Sequence, residues 1–122
     1  MFSLLLHHIN RENTFFLGLL DQYYIKFAKD IIQFSGIPKR SFVVDLGSND
    51  GTMLRIFKEC GMKVLGVEPN EQIAKNANKN NLKTINNYFN SKVANHIKQN
   101  YGKASIVTAN YIYANIENVF EF

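Results

Sequence analysis

The segment Phe42-Val43-Val44-Asp45-Leu46-Gly47-Ser48-Asn49-Asp50-Gly51-Thr52 constrains this chain more than any other. Its short apolar run reads as a strand buried on both faces, the kind found in parallel sheets covered by helices. Gly47 directly after the run lets the chain turn sharply. Gly51, four residues on, lets backbone come close to a ligand at the start of the next helix. Residues 52–60 read as that helix, with Met53, Leu54, Ile56 and Phe57 apolar. Residues 63–68 form a second strand, Lys63-Val64-Leu65-Gly66-Val67-Glu68. Glu68 closes that strand about 20 residues beyond Gly47, where an acid can accept hydrogen bonds from two ribose hydroxyls of a nucleoside.

The alternation continues. Residues 72–79 read as helix with Ile73, Ala74 and Ala77 inward, and Thr84-Ile85 as a short strand. Ser91 is expected to cap a helix running to about 100 that buries Val93, Ala94 and Ile97, and 104–109 reads as a fourth strand. Residues 117–122 begin another helix. Strands this apolar, alternating with helices, predict an α/β fold: a Rossmann-like, doubly wound parallel sheet of about four strands. Such a sheet is incomplete at this length, and its fourth strand carries an apolar edge that favours pairing between chains, a homo-oligomer.

Residues 1–40 form a helical lead-in. From 13 to 34 the apolar positions Phe16, Leu20, Tyr23, Phe27, Ile31 and Phe34 step by three and four, one face of an amphipathic helix. Asn13 or Thr14 caps its start, and Gly36 followed by Pro38 stops it. A shorter helix is expected at 3–9, where His7 and His8 are read as solvated. The chain of 122 residues suits one domain. A single cysteine, Cys60, excludes an internal disulfide and any multi-cysteine metal cluster, and points to a reducing compartment. The net charge of +4 comes from scattered lysines with no stripe interleaved with aromatics, which does not indicate nucleic-acid binding. Asparagine is unusually frequent and reads as compositional bias. No run approaches the length that spans a bilayer, and the amino-terminal leucines lack the flanks of a signal peptide, so a cytoplasmic protein is expected.

What the loop lacks selects its ligand. A phosphate-binding P-loop wants Lys-Ser/Thr after its last glycine, but Gly51-Thr52-Met53 has no lysine. The dinucleotide fingerprint needs glycine where Asn49 and Thr52 stand. Acids at Asp45 and Asp50 suit a pyrophosphate poorly and a cation well. S-adenosylmethionine carries a sulfonium and an ammonium and no phosphate, so electrostatics favour it.

The stretch VVDLGSNDGTMLRIFKECGMKVLGVEPN resembles the first motifs of class I S-adenosylmethionine-dependent methyltransferases. More narrowly it is similar to the C-methyltransferase family whose studied members act on nucleotide-linked keto-sugars. The GSNDG form, Gly66-Val67-Glu68-Pro69, the segment Thr84-Ile85-Asn86-Asn87-Tyr88-Phe89, and the segment from Ala109 to Ile116 carry that likeness over roughly residues 20 to 122. The resemblance implies that Asp45, Gly47, Asn49 and Gly51 hold the methionine half of the cofactor, with Ser48 also among the cofactor-binding residues. Glu68, with Pro69 beside it, would hold the ribose. Asn87 would meet the adenine amino group, with Tyr88 and Phe89 nearby. Asn110 would lie beneath the methyl donor. It further implies a small-molecule methyl acceptor, a sugar nucleotide in the studied members. Two departures matter: Asn115 stands where the family usually has a histidine suited to acid/base work, and no cysteine-rich zinc module precedes the fold. The catalytic residue is therefore unassigned, and 41–122 is read as the amino-terminal part of a truncated methyltransferase domain. The alternatives are a catalytically inactive cofactor-binding remnant or interaction module and, less favoured, an NAD-dependent oxidoreductase.

Overall fold

The structure, a computed structural model, describes residues 14–109, with side chains from residue 18 onward. The chain divides into two units, Met1–Ile37 and Pro38–Phe122.

The first unit contributes helix α1 (Thr14–Ser35). Its buried stripe is Leu20, Tyr24 and Ala28, at steps of four. That differs from the expected face. Tyr23 and Phe27 are half-buried and stack on each other along the helix, with centroids 6.4 Å apart, while Phe34 is 94% exposed. The helix is apolar over more than one stripe, so periodicity alone did not select the row centred on the small Ala28. Its stop is as read: Gly36 turns left-handed (φ 62°), and its amide donates to the Ile32 and Gln33 carbonyls. Asn13, His7, His8 and the helix expected at 3–9 lie outside the described residues.

The second unit runs β1 (Phe42–Leu46), α2 (Thr52–Glu59), β2 (Lys63–Val67), α3 (Glu71–Lys79), β3 (Thr84–Ile85), α4 (Ser91–Tyr101) and β4 (Ile106–Ala109). The strands form one sheet in the order β3-β2-β1-β4, and every pair is parallel. This is the α/β Rossmann-like arrangement that the alternation implied. Its two faces follow from the period of two along each strand. Val44, Leu46, Leu65 and Val67 pack with Phe89, Val93, Ala94 and Ile97 of the α4 layer. On the other face Val64 packs against Leu54 of α2, Ala77 of α3 and Leu82. Strand order reverses at β1, between β2 and β4, which puts a ligand crevice at the carboxyl ends of these strands.

Asparagines start two of the helices. The Asn70 side chain accepts from the Ile73 amide at 3.0 Å, and that of Asn90 from Val93 at 2.9 Å. The α4 cap is therefore Asn90 and not Ser91: its extended backbone (φ −153°) aims the side chain back at the first turn. The helix expected at 117–122 lies outside the described residues. Among the described residues no helix is long and apolar enough to cross a membrane.

Candidate cofactor site

The turn after β1 is tied to the end of β2. The Gly47 and Ser48 amides both donate to the Val67 carbonyl, at 2.8 and 3.1 Å, and the Gly51 amide donates to Ser48 O at 3.0 Å. Gly47 (φ 72°), Asn49 (φ 54°) and Gly51 (φ 87°) are left-handed. Glycine adopts that region without cost, and asparagine tolerates it better than most residues. Asp50 finishes the turn: its Oδ1 accepts from the Thr52 amide at 3.0 Å and hydroxyl at 2.7 Å, ordering the start of α2.

Ser48 is 3% exposed, with its side chain against Gly66 of β2. A Cβ built on Gly66 would lie 2.3 Å from Ser48 Oγ and 2.7 Å from Leu54 Cδ1, so the loop seats where β2 has no side chain. Ser48 Oγ is buried without a hydrogen-bond partner. Removing an unsatisfied buried hydroxyl relieves its desolvation cost. Ser48→Ala is therefore expected to raise stability by about 1 kcal/mol, read as a higher urea midpoint at unchanged slope.

Glu68 sits just past β2 and is 8% exposed. Its Oε1 accepts from the Asn49 amide at 2.9 Å and its Oε2 from the Asn70 amide at 2.8 Å. One carboxylate thus joins the glycine turn to the cap of α3, and each oxygen keeps a lone pair for a further donor. Pro69, next in the chain, is exposed. The Asn86 side-chain amide donates to the carbonyls of Glu68 and Pro69 at 3.1 and 3.0 Å. Asn87 is exposed, with Oδ1 accepting from the Tyr88 amide at 2.8 Å. Tyr88 is 73% exposed, whereas Phe89 is buried in the core. Asn110 and Asn115 lie outside the described residues.

Asp45 is opposite Gly66 on β2 and Thr108 on β4, and is 1% exposed. Thr108 Oγ1 donates to Asp45 Oδ1 at 2.8 Å. Burial raises the Asp45 carboxyl from 3.8 to about 7; the Thr108 bond opposes this and the charge on Glu68 adds to it. Between those two values the folded chain holds a proton that the unfolded chain has lost. Stability therefore falls as pH rises through this window, by up to about 1.4 kcal/mol per pH unit, and levels off above about 7. Denaturation of the ligand-free chain across this range is expected to show that fall, and Asp45→Asn to flatten it.

Sequence reasoning missed Gly66 as the seat of the loop, Thr108 as the partner of Asp45, and Asn86. Thr108 could have been found, since a threonine in an apolar strand level with an aspartate on the next one is a pairing signal. Beside the turn, Asp50, Gly51, Thr52 and Arg55 face Asn80 and Leu82 across a pocket of about 300 Å³.

A parallel sheet with a glycine turn, a fixed strand-end acid and helices on both faces defines a nucleoside-cofactor domain of the Rossmann-like class. The family described as a methyltransferase domain matches residues 20–121, and the chain belongs to it, among the class I S-adenosylmethionine-dependent methyltransferases. A C-methyltransferase of Streptomyces niveus, NovU, is 30% identical over 104 residues, covering 85% of this chain and 25% of that protein. The chain thus spans a quarter of the length of this curated relative. A structure from Methanococcus maripaludis, described as a putative S-adenosyl-L-methionine-dependent methyltransferase, shares the fold at a TM-score of 0.57. It is 12% identical over 93% of this chain and 58% of its own. The plantazolicin methyltransferase BpumL, solved with SAH, is 22% identical over 57% of this chain and 27% of its own, at a TM-score of 0.43.

Proposed function

We propose that the carboxyl ends of β1 and β2 hold S-adenosylmethionine, and that the chain serves methyl transfer to carbon of a small-molecule acceptor, a nucleotide-linked sugar. The observation that carries the binding site is Glu68, fixed by two backbone amides beside a left-handed glycine turn. In this reading the free lone pairs of Glu68 take the ribose hydroxyls. The turn from Gly47 to Gly51 receives the methionine half, and Asn87 and Tyr88 flank the adenine. The chemistry of the donor set fits the cofactor: Asp50 and Glu68 bring carboxylates toward a ligand that carries two cations and no phosphate, while Asp45, buried and bonded to Thr108, braces the strand beneath the turn. Arg55, which follows the turn, pairs with Glu59 at 3.2 Å. The likeness to NovU supports carbon as the methylated atom. Such a transfer breaks the sulfonium–methyl bond, forms a carbon–methyl bond, releases S-adenosylhomocysteine and takes one proton from the acceptor carbon.

Calorimetric titration of the chain with S-adenosylmethionine, with NAD as control, tests the binding site. Saturable heat with the first and none with the second is expected; folded protein that binds neither overturns the reading. Asn115, where the resembled family carries histidine, favours a second reading in which the chain binds the cofactor without transferring methyl. Incorporation of labelled methyl into a keto-sugar nucleotide separates the two.

A further inference from the structure

We propose that Asn86 is a positioning residue for the ribose-holding acid, clamping the backbone of Glu68 and Pro69 to the end of β3. The inference rests on the reading of Glu68 given above. The β2–β3 register ends at Val67 opposite Ile85. One residue on, the Glu68 amide still donates to the Ile85 carbonyl at 2.9 Å, but the chain of β3 turns off, with the Asn87 amide donating back to Ile85 O at 3.1 Å. The strand therefore has no backbone donor left for the Glu68 carbonyl. The Asn86 side chain takes over, with Nδ2 donating to Glu68 O at 3.1 Å and to Pro69 O at 3.0 Å.

The carboxylate position follows from this clamp. Both backbone polar groups of Glu68 are held from β3 and its end, so its side chain leaves from a fixed point. That fixed point lets the two carboxylate oxygens reach the Asn49 and Asn70 amides at once. The task needs a short side chain with two donors on one nitrogen. Aspartate would turn an acceptor toward two carbonyls, and alanine would leave both unclamped. Asn86 reaches no ligand in this scheme and acts only through Glu68.

The test uses the full chain, S-adenosylhomocysteine and its 2′,3′-dideoxy analogue, with calorimetry on wild type and Asn86→Ala. Wild type is expected to prefer the ligand with hydroxyls. Asn86→Ala is expected to weaken that ligand about tenfold, the worth of one to two hydrogen bonds, and to leave the dideoxy analogue unchanged. Equal weakening of both ligands, or of neither, overturns the proposal, because a merely structural asparagine would not distinguish them. Wild type that binds both ligands alike overturns the ribose role of Glu68 itself, and this inference with it, so the two failures are told apart. If Asn86→Ala does not fold, Asn86→Gln, which keeps the two donors on a longer arm, is expected to show the same ligand-selective loss in smaller degree.

Discussion

Glu68→Gln is expected to weaken S-adenosylmethionine binding about a hundredfold, roughly 2.7 kcal/mol, the scale on which charge-assisted hydrogen bonds are lost. The substitution changes almost nothing in shape. Yet the two oxygens of Glu68 each accept from a backbone amide, Asn49 on one side and Asn70 on the other. Glutamine offers one carbonyl oxygen, so its NH2 must face one of those N–H groups. Either the glycine turn or the α3 cap then loses its partner, and the ribose loses an anionic acceptor. Stability should fall as well, by about 1–2 kcal/mol, because a partly buried amide is left unpaired. Calorimetry and urea denaturation measure the two losses separately. A Glu68→Gln chain that binds within about threefold of wild type would show that the carboxylate braces the turn without touching the ligand, since about threefold is less than the roughly fivefold step of one hydrogen bond worth about 1 kcal/mol.

Gly66→Ala should be strongly damaging for a single added methyl. Its Cβ would stand 2.3 Å from Ser48 Oγ, 2.8 Å from Ser48 Cβ and 2.7 Å from Leu54 Cδ1. Neither neighbour can retreat easily. The Ser48 backbone is tied to Val67 O, and Leu54 is fully buried in α2. Overpacking of this kind costs about 2–3 kcal/mol. Because the displaced residue lies in the glycine turn, cofactor affinity should fall together with stability. Ser48→Gly removes the two nearest serine atoms and leaves Leu54, so Gly66→Ala with Ser48→Gly should recover part of the loss. The coupling is read as a double-mutant cycle in urea. Strict additivity would mean that the turn does not seat on Gly66.

The boundaries of β1 and β2 were legible to within a residue because both combine continuous apolar runs with abrupt ends at Gly47 and Glu68, whereas the fourth strand, read from 104, begins at Ile106. The inward faces of α2 and α4 were legible for the same reason: Phe57 and Ile97 sit on unambiguous apolar rows among polar neighbours. In α1 apolar residues occur on several sides, and the row actually buried runs through Tyr24 and Ala28. The asparagines were hidden by their own abundance. Read as composition, Asn70, Asn86 and Asn90 were given no role, yet Asn70 and Asn90 cap helices and Asn86 holds the Glu68 turn. Asn78 links α3 to β3 by accepting from the Thr84 amide and donating to its carbonyl, both at 2.9 Å. Which asparagine does this depends on backbone direction at strand and helix ends, and a residue count does not carry that. Asp45 was read as facing a ligand, and its burial and bond to Thr108 were missed, because its partner lies 63 residues away.

Amide resonances followed by NMR during titration with S-adenosylhomocysteine test the central claim, that the ligand is held where the glycine turn meets Glu68. Saturable shifts at Gly47, Asn49, Glu68 and Asn70, with the amides of Lys63 and Tyr101 at rest, are the expected result. Shifts centred on Asn80 and Leu82, with Asn49 and Asn70 unmoved, would place the ligand in the neighbouring pocket and contradict it.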